Sequence, residues 1–322
     1  MPDNEFYQIF WKALIASMEH SFIAWAKQRA ARLPKVKFGI GDDCALLGLE
    51  SLDFNSWDMV VTTDSICDGT HFNLSECGAR AAGRKLMAVN LSDLASMAAS
   101  PIAVFLSLCL PRKDAGDTAA QVFEGVYDLA SQYQVSIAGG DTNVWDGPLC
   151  LNMTAIGKVP LDRGWLRSGA SPGDAIVVTG KLGGSILGKH LSFEPRLAIA
   201  MRLRELGIVS AATDISDGLG IDLLSMTVAS KCGAEVALEK IPISEEAIQL
   251  ANSTGKSAMD HAIGDGEDFE LLLAVPSSKM ELLPAEINGV ALTQIGTFIS
   301  RTGLWSRDKF GVRQLSPKGY VH

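Results

Sequence analysis

Apolar positions along the chain fall into two rhythms that alternate with each other. Phe6, Ile9, Phe10, Leu14, Ile15 and Met18 recur at helical spacing, and a stretch rich in Ala, Lys, Gln and Arg continues the pattern, so 5–33 reads as helix. Residues 36–48 hold a short strand and a turn. DMVVTTD (58–64) reads as a buried strand ending in an aspartate, and 76–99 as a long helix rich in Ala, Leu and Met. A strand over 102–109, a helix over 114–133, a strand over 135–138 ending at Gly139-Gly140-Asp141, and a strand over 149–158 follow. The polar, glycine-rich passage DRGWLRSGASPGD (162–174) is the best domain boundary. Beyond it come a strand (175–179), a glycine turn and a helix, then DISDGLGIDLL running into a helix, GDGEDFELLLAV turning into a strand, and a last strand at TQIGTF. Helices and strands alternate in both halves, which predicts an α/β (α+β) fold of two domains.

Composition narrows the function classes. The 322 residues are 47% hydrophobic and 20% charged, ordinary for a globular chain. No apolar run approaches the roughly 18 residues of a membrane span. The acidic N-terminus shows no leader pattern, and the chain is expected in the cytoplasm. Six cysteines (Cys44, Cys67, Cys77, Cys109, Cys150, Cys232) form no CxxC pair, which argues against a disulfide framework or a zinc site. The net charge of −9, without a basic stripe, argues against nucleic acid and acidic membranes as partners. An acidic protein that handles polyphosphates needs a divalent cation to neutralise both sides.

Five segments end an apolar run with a carboxylate: Gly41-Asp42-Asp43, Thr62-Thr63-Asp64, Asn90-Leu91-Ser92-Asp93, Gly139-Gly140-Asp141-Thr142 and Asp214-Ile215-Ser216-Asp217-Gly218. Each reads as a turn. Hydroxyls beside the aspartates suit magnesium, which takes oxygen ligands and keeps several waters, and glycines let backbone N–H groups approach phosphate. Any one of these taken alone is equally well an ordinary turn or a helix cap. Asp93 stands apart, because it falls inside an apolar helical stretch where a buried carboxylate needs a partner or a metal. A further glycine segment, GKLGGSILGKH, satisfies G-x-x-x-x-G-K at Gly183, Gly188 and Lys189. His190 then stands where the phosphate loop needs Ser or Thr, so a structural glycine turn is the better reading.

Taken in order, FGIGDDCALL (38–47), TTDSICDGTHF (62–72), GRKLMAVNLSDLASM (83–97), IAGGDT (137–142), RSGASPGDAIVVTGKLG (167–183), DISDGLGIDL (214–223), GEDFELLL (266–273) and IGTF (295–298) closely resemble the thiamine-monophosphate kinase family. That family lies in the superfamily of aminoimidazole ribonucleotide synthetase and selenophosphate synthetase. The resemblance implies a helical extension (1–35), an ATP- and magnesium-binding domain (36–160) and a C-terminal domain (161–322), with N-terminal domains pairing into a homodimeric β-barrel. It implies ATP-dependent phosphorylation of thiamine monophosphate to thiamine diphosphate, by direct transfer, with several magnesium ions and scope for a monovalent cation. Metal ligands would be Asp43, Thr62, Thr63, Asp64, Asp93, Asp141, Asp214 and Asp217, with Asp43, Asp93 and Asp217 catalytic. Gly140, Asp141, Arg167 and Ser216 would contact ATP, and His71 and Glu267 thiamine monophosphate. A sister synthetase acting on another small substrate and a non-catalytic binding paralogue are the alternatives. Two departures stand out. Met97-Ala98-Ala99 replaces the family's Met-Gly-Ala, an exchange expected to be free of cost inside a helix, and Pro317 stands where the family has an aromatic.

Overall fold

A computed structural model describes Trp25, Gln28, Arg29, the backbone of 36–38 and 46–47, and residues 56–308 and 311–319. The expected N-terminal helix and Asp42-Asp43 lie largely or wholly outside these residues. The described chain forms two units. One comprises residues 61–90 and 101–157 with the N-terminal stretch, and the other 55–60, 91–100 and 158–322.

In the first unit, β1 (Val36–Phe38) and β2 (Leu46–Leu47) make a two-stranded sheet. The larger sheet runs β3-β6-β4-β5, built from β3 (Trp57–Cys67), β4 (Ser100–Pro111), β5 (Ser136–Trp145) and β6 (Cys150–Pro160). It is an open sheet, and these four strands do not close a barrel within the chain. Helices α1 (Leu74–Ser96) and α2 (Ala115–Gln132) belong to the same layer system. They cross with backbone nearly touching backbone: a Cβ on Gly83 would lie 2.1 Å from Val122 O, and one on Gly125 would lie 2.0 Å from Arg80 O. Only glycine permits that approach. Trp25 meets Phe123 edge-on, and the Arg29 guanidinium stacks on Tyr127 while pairing with Glu124, which fastens the N-terminal stretch to α2.

The strand from 58 is longer than the sequence predicts and is not buried on both faces. Val60 and Ile66 are buried, while Met59 and Val61 are exposed. Sheets with one face on the core show this alternation. The strand at 135–138 also continues, through Gly139-Gly140-Asp141, to Trp145. Two of the expected carboxylate turns are therefore interior strand positions. The reason at Gly140 is steric: a Cβ there would stand 1.8 Å from the Leu106 carbonyl of parallel neighbour β4, beside a register shift at Val104/Phe105.

In the second unit, the sheet runs β14-β13-β9-β12-β7-β10-β8 with β11 added to β12. The strands are β7 (Ala175–Thr179), β8 (Ala211–Asp214), β9 (Gly233–Ala237), β10 (Leu271–Val275), β11 (Glu286–Ile287), β12 (Val290–Ile299), β13 (Gly303–Asp308) and β14 (Gly311–Gln314). Among the described strand pairs of this sheet, β9–β13 alone is parallel. Every residue of β7 and β10 is buried, so each reads as an unbroken apolar run. Helices α3 (Leu197–Leu206), α4 (Leu219–Ser230), α5 (Glu245–Thr254) and α6 (Ala258–Gly264) also lie in the unit, beside a single helical turn at Lys189–Ser192. Leu219, Leu223 and Met226 of α4 and Ile263 of α6 pack with Ile176, Val178, Leu272 and Phe298 in one core. Full burial of a side chain such as Phe298 contributes about 2–3 kcal/mol.

Helix α1 ends at Ser96, earlier than expected. Ala98 adopts φ 54°, its N–H donates to Ala95 O, and the Ala99 N–H reaches back to Leu94 O. This is a left-handed helix terminus, where glycine is favoured and an L side chain is strained. The Ala98 substitution is thus not free of cost, contrary to the expectation for a helical position.

Candidate active site

The second unit gathers acidic groups around the end of β8. Asp214 closes that strand opposite Leu271 of β10, and its carboxylate is buried. The Ser92 hydroxyl donates to Asp214 Oδ2 at 2.6 Å. Burial and the nearby Asp93 push the Asp214 carboxyl up to about 7, while Ser92 and Arg167 act the other way. Arg167 is exposed and donates through Nε to Thr213 Oγ1 at 3.2 Å. Asp93 is half-buried; the fully buried polar residues of its helical turn are Asn90 and Ser92. The carboxylate expected to be enclosed in apolar packing therefore lies at the edge of it, and Ser92 reaches the enclosed carboxylate of Asp214.

The chain turns after Asp214 through Ser216, Asp217 and Gly218. Gly218 has φ 103°, and a Cβ there would meet Asp265 O at 2.9 Å, so the turn needs glycine. Asp222, in the first turn of α4, accepts from the Asp217 N–H at 3.0 Å. Its burial, together with Asp214 and Asp217, pushes its carboxyl up to about 8. Alongside runs the segment 266–270. Ile215 N–H donates to Glu270 O, Phe269 N–H to Ile215 O, and Glu267 N–H to Ser216 O, at 2.7–2.8 Å. Glu267 and Phe269 both take positive φ, 62° and 49°. Two motifs distant in sequence are thus zipped backbone to backbone, which sets Glu267 beside Ser216. The tail also arrives here: a Cβ on Gly319 would lie 2.4 Å from Asp217 O, and Lys318 pairs with Asp260 at 2.5 Å.

GKLGGSILGKH is not a phosphate loop. The N–H of Gly183 donates to both oxygens of Asp268 at 2.9 Å, and that of Gly184 to Asp265 at 3.0 Å. Lys189 pairs with Glu270 at 3.0 Å, and Arg196 grips the same buried carboxylate. Carboxylates from the chain itself occupy the donors that a phosphate would need. Asp222, Asp268 and Glu270 were not singled out from sequence. They lie in DISDGLGIDL and GEDFELLL, but an acidic residue within a motif carries no mark of burial.

In the first unit, Thr62 and Asp64 are half-buried, whereas Thr63 and Ser65 are exposed. Strand alternation puts Thr63's side chain on the opposite face from those of Thr62 and Asp64. Its hydroxyl donates to Met153 O at 3.1 Å and meets Thr154. Asp141 is exposed on β5 and accepts from Asn143 at 2.6 Å. His71 Nδ1 accepts the Cys67 N–H at 3.0 Å, so a neutral ring carries its proton on Nε2. Buried Lys85 donates to the His71 carbonyl at 2.5 Å, which anchors that turn. Asp43 lies outside the described residues.

Among the described residues, no three of His, Cys, Asp or Glu stand together as a metal cage. The donor set still fits magnesium, which typically takes one or two carboxylates and completes its shell with water and substrate phosphates. A carboxyl raised by burial and then by a neighbouring carboxylate, as at Asp214, is a group whose ionised form a divalent cation favours.

Comparison with known proteins accords with this geometry. The profile of AIR synthase related protein, N-terminal domain, matches residues 41–159, and that of the C-terminal domain matches 171–305. The chain is 44% identical to thiamine-monophosphate kinase of Rhodopirellula baltica over 311 residues, covering 95% of this chain and 97% of that one. The crystal structure of thiamine-monophosphate kinase from Stenotrophomonas maltophilia K279a is similar at TM-score 0.76 and 32% identity, over 88% of this chain and 94% of that one. AaThiL complexed with AMPPCP and TMP is similar at TM-score 0.73 and 25% identity, over 88% and 91%. The chain therefore belongs to the AIR synthase related proteins and, within them, to the thiamine-monophosphate kinase family.

Proposed function

We propose that the protein transfers the γ-phosphoryl group of ATP directly to the phosphate of thiamine monophosphate, giving ADP and thiamine diphosphate. The reading is carried by the pairing of the DISDG and GEDFE segments, which meet through three backbone hydrogen bonds in a chain 44% identical to a thiamine-monophosphate kinase. An oxygen of the acceptor phosphate attacks the γ-phosphorus in line, and the β–γ bridging oxygen leaves with ADP. The acceptor is already ionised near neutral pH, so the reaction needs positioning and charge neutralisation rather than a strong base.

The roles assigned to the chain follow from its chemistry. Magnesium, when bound, would neutralise phosphate charge, and Asp43, Asp64, Asp93, Asp141, Asp214 and Asp217, with Thr62, are the residues proposed to hold it, with Thr63, whose hydroxyl faces away, offering its backbone carbonyl. Arg167 offers a planar guanidinium for phosphate oxygens, and Ser216, Gly140 and Asp141 are proposed nucleotide contacts. Glu267 places an anion for the cationic thiazolium. His71, with its proton on Nε2, is a donor for the substrate phosphate. The domains are taken as 36–160 and 161–322, after the 1–35 extension. Two chains are proposed to pair through the N-terminal sheet, whose outer β3 face exposes Met59 and Val61.

The test is direct. Purified protein with ATP, magnesium and thiamine monophosphate should form thiamine diphosphate and ADP in equal amounts. ADP without thiamine diphosphate would favour a sister synthetase, and neither product would favour a binding paralogue.

A further inference from the structure

Cys67 closes β3 and Cys150 opens β6, its neighbour in the four-stranded sheet. The strands run antiparallel, since partner numbers fall as residue numbers rise. Leu161 N–H donates to Ser56 O, and Asp68 N–H donates to Leu149 O, each at 2.9 Å. That register sets Cys67 directly opposite Cys150, one step from the hydrogen-bonded pair Asp68–Leu149. The step next to a hydrogen-bonded pair is a non-hydrogen-bonded one, where opposed Cα atoms approach to about 4.5 Å and side chains lie closest. Disulfides accept Cα separations of about 4.4–6.8 Å. Both cysteines are free thiols, their sulfurs are 3.2 Å apart, and neither residue is fully buried.

We propose that Cys67 and Cys150 are a redox-responsive pair that closes reversibly to a disulfide across β3 and β6. The oxidant class is a peroxide. The Cys67 sulfur attacks the terminal peroxide oxygen, which becomes its sulfenic hydroxyl as the O–O bond breaks and the other oxygen leaves as water. The Cys150 sulfur then displaces that hydroxyl, which takes up the Cys150 proton and leaves as a second water. Two thiols and one hydrogen peroxide thus give one disulfide and two waters, and an external dithiol reverses the change. The sulfurs need to close to about 2.05 Å, a side-chain adjustment at a site whose backbone is already set.

Burial, and then the neighbouring Cys67, push the Cys150 thiol up to about 11. Cys150 therefore keeps its proton at rest, which leaves the first attack on peroxide to Cys67, and its closeness to that sulfur places it for the second step. A reducing compartment holds such a pair open until oxidant appears. The position matters because the Cys67 N–H donates to His71 Nδ1, and the N–H groups of Thr70 and His71 both donate to Cys67 O. The turn that carries His71 is fastened to one member of the pair. A coupling to substrate binding rests on the function proposed for His71, whereas the cross-link does not.

The full chain, reduced and then treated with stoichiometric hydrogen peroxide, is alkylated and digested without reductant for peptide mass mapping. A linked peptide joining Cys67 to Cys150 is expected. Dithiothreitol should remove it, Cys67→Ser and Cys150→Ser should abolish it, and Cys109→Ser should keep it. Sulfinic or sulfonic acid at Cys67 without the link would overturn the proposal, and so would a dominant link from Cys150 to Cys109. The wild-type map decides even where a serine variant folds poorly. Closure should also raise the KM for thiamine monophosphate more than it lowers kcat. The link with unchanged KM would sustain the redox pair and overturn its coupling to His71.

Discussion

The Ser92 hydroxyl donates to Asp214 Oδ2 at 2.6 Å, between buried side chains 122 positions apart in the chain. A carboxylate enclosed this way is poor for stability and useful for charge chemistry. Asp214→Asn keeps the shape, removes the buried acid, and should lower thiamine diphosphate formation by about 100-fold or more. Its melting temperature at neutral pH should not fall, because the substitution relieves the desolvation that holds the carboxyl near 7. Chelation by EDTA should stop turnover in the wild type, and added magnesium should restore it. Steady-state kinetics beside thermal melts separates the two effects.

Asp268 carries a pH dependence of stability. Its carboxyl is raised to about 7 from an ordinary 3.8, mainly by burial, with Lys189 and the Gly183 N–H opposing. The folded state therefore holds this proton more tightly than the unfolded chain. The contribution is fully present below about pH 4 and is lost as pH rises through about 7. Urea unfolding at pH 5 and pH 8 should show the wild type losing stability over that interval, and Asp268→Asn should flatten the slope.

Lys189 tests the glycine segment. Its ammonium neutralises the buried Glu270 together with Arg196. Lys189→Ala should cost about 1–3 kcal/mol of stability, since a buried carboxylate loses one of its two cations. Nucleotide affinity by calorimetry should be unchanged. A large loss of ATP binding in a folded Lys189→Ala protein would revive the phosphate-loop reading.

Ala98 sits at φ 54° and its carbonyl accepts from Arg204 Nη1 at 2.5 Å. Ala98→Gly keeps that acceptor and removes the strained Cβ. Stability should rise by about 1 kcal/mol, read as a shifted denaturation midpoint with unchanged slope.

Gly140 is the opposite case. Gly140→Ala would drive a Cβ into the Leu106 carbonyl, where the nearest atom is backbone and cannot swing away. A loss of about 3 kcal/mol or more, or failure to accumulate folded protein, is expected. The measurement is soluble yield and melting temperature beside wild type.

By itself the sequence determined the alternation of helices and strands, the buried runs Ala175–Thr179 and Leu271–Val275, and the ordered motifs that place the chain in its family. Those are local quantities, periodicity and glycine spacing, which survive without knowledge of neighbours. Tertiary structure alone decided that Gly139–Thr142 and Thr62–Asp64 are strand interiors. A glycine written beside an aspartate looks the same in a turn and beneath an approaching carbonyl such as that of Leu106. It also decided that Thr63 faces away from Thr62 and Asp64, that Ala98 is left-handed, and that Asp265 and Asp268 fill the glycine donors of the false phosphate loop. Asp222, Asp268 and Cys67–Cys150 were invisible for the same reason. Desolvation and strand register arise from residues distant in sequence, and no single window of the chain contains both partners.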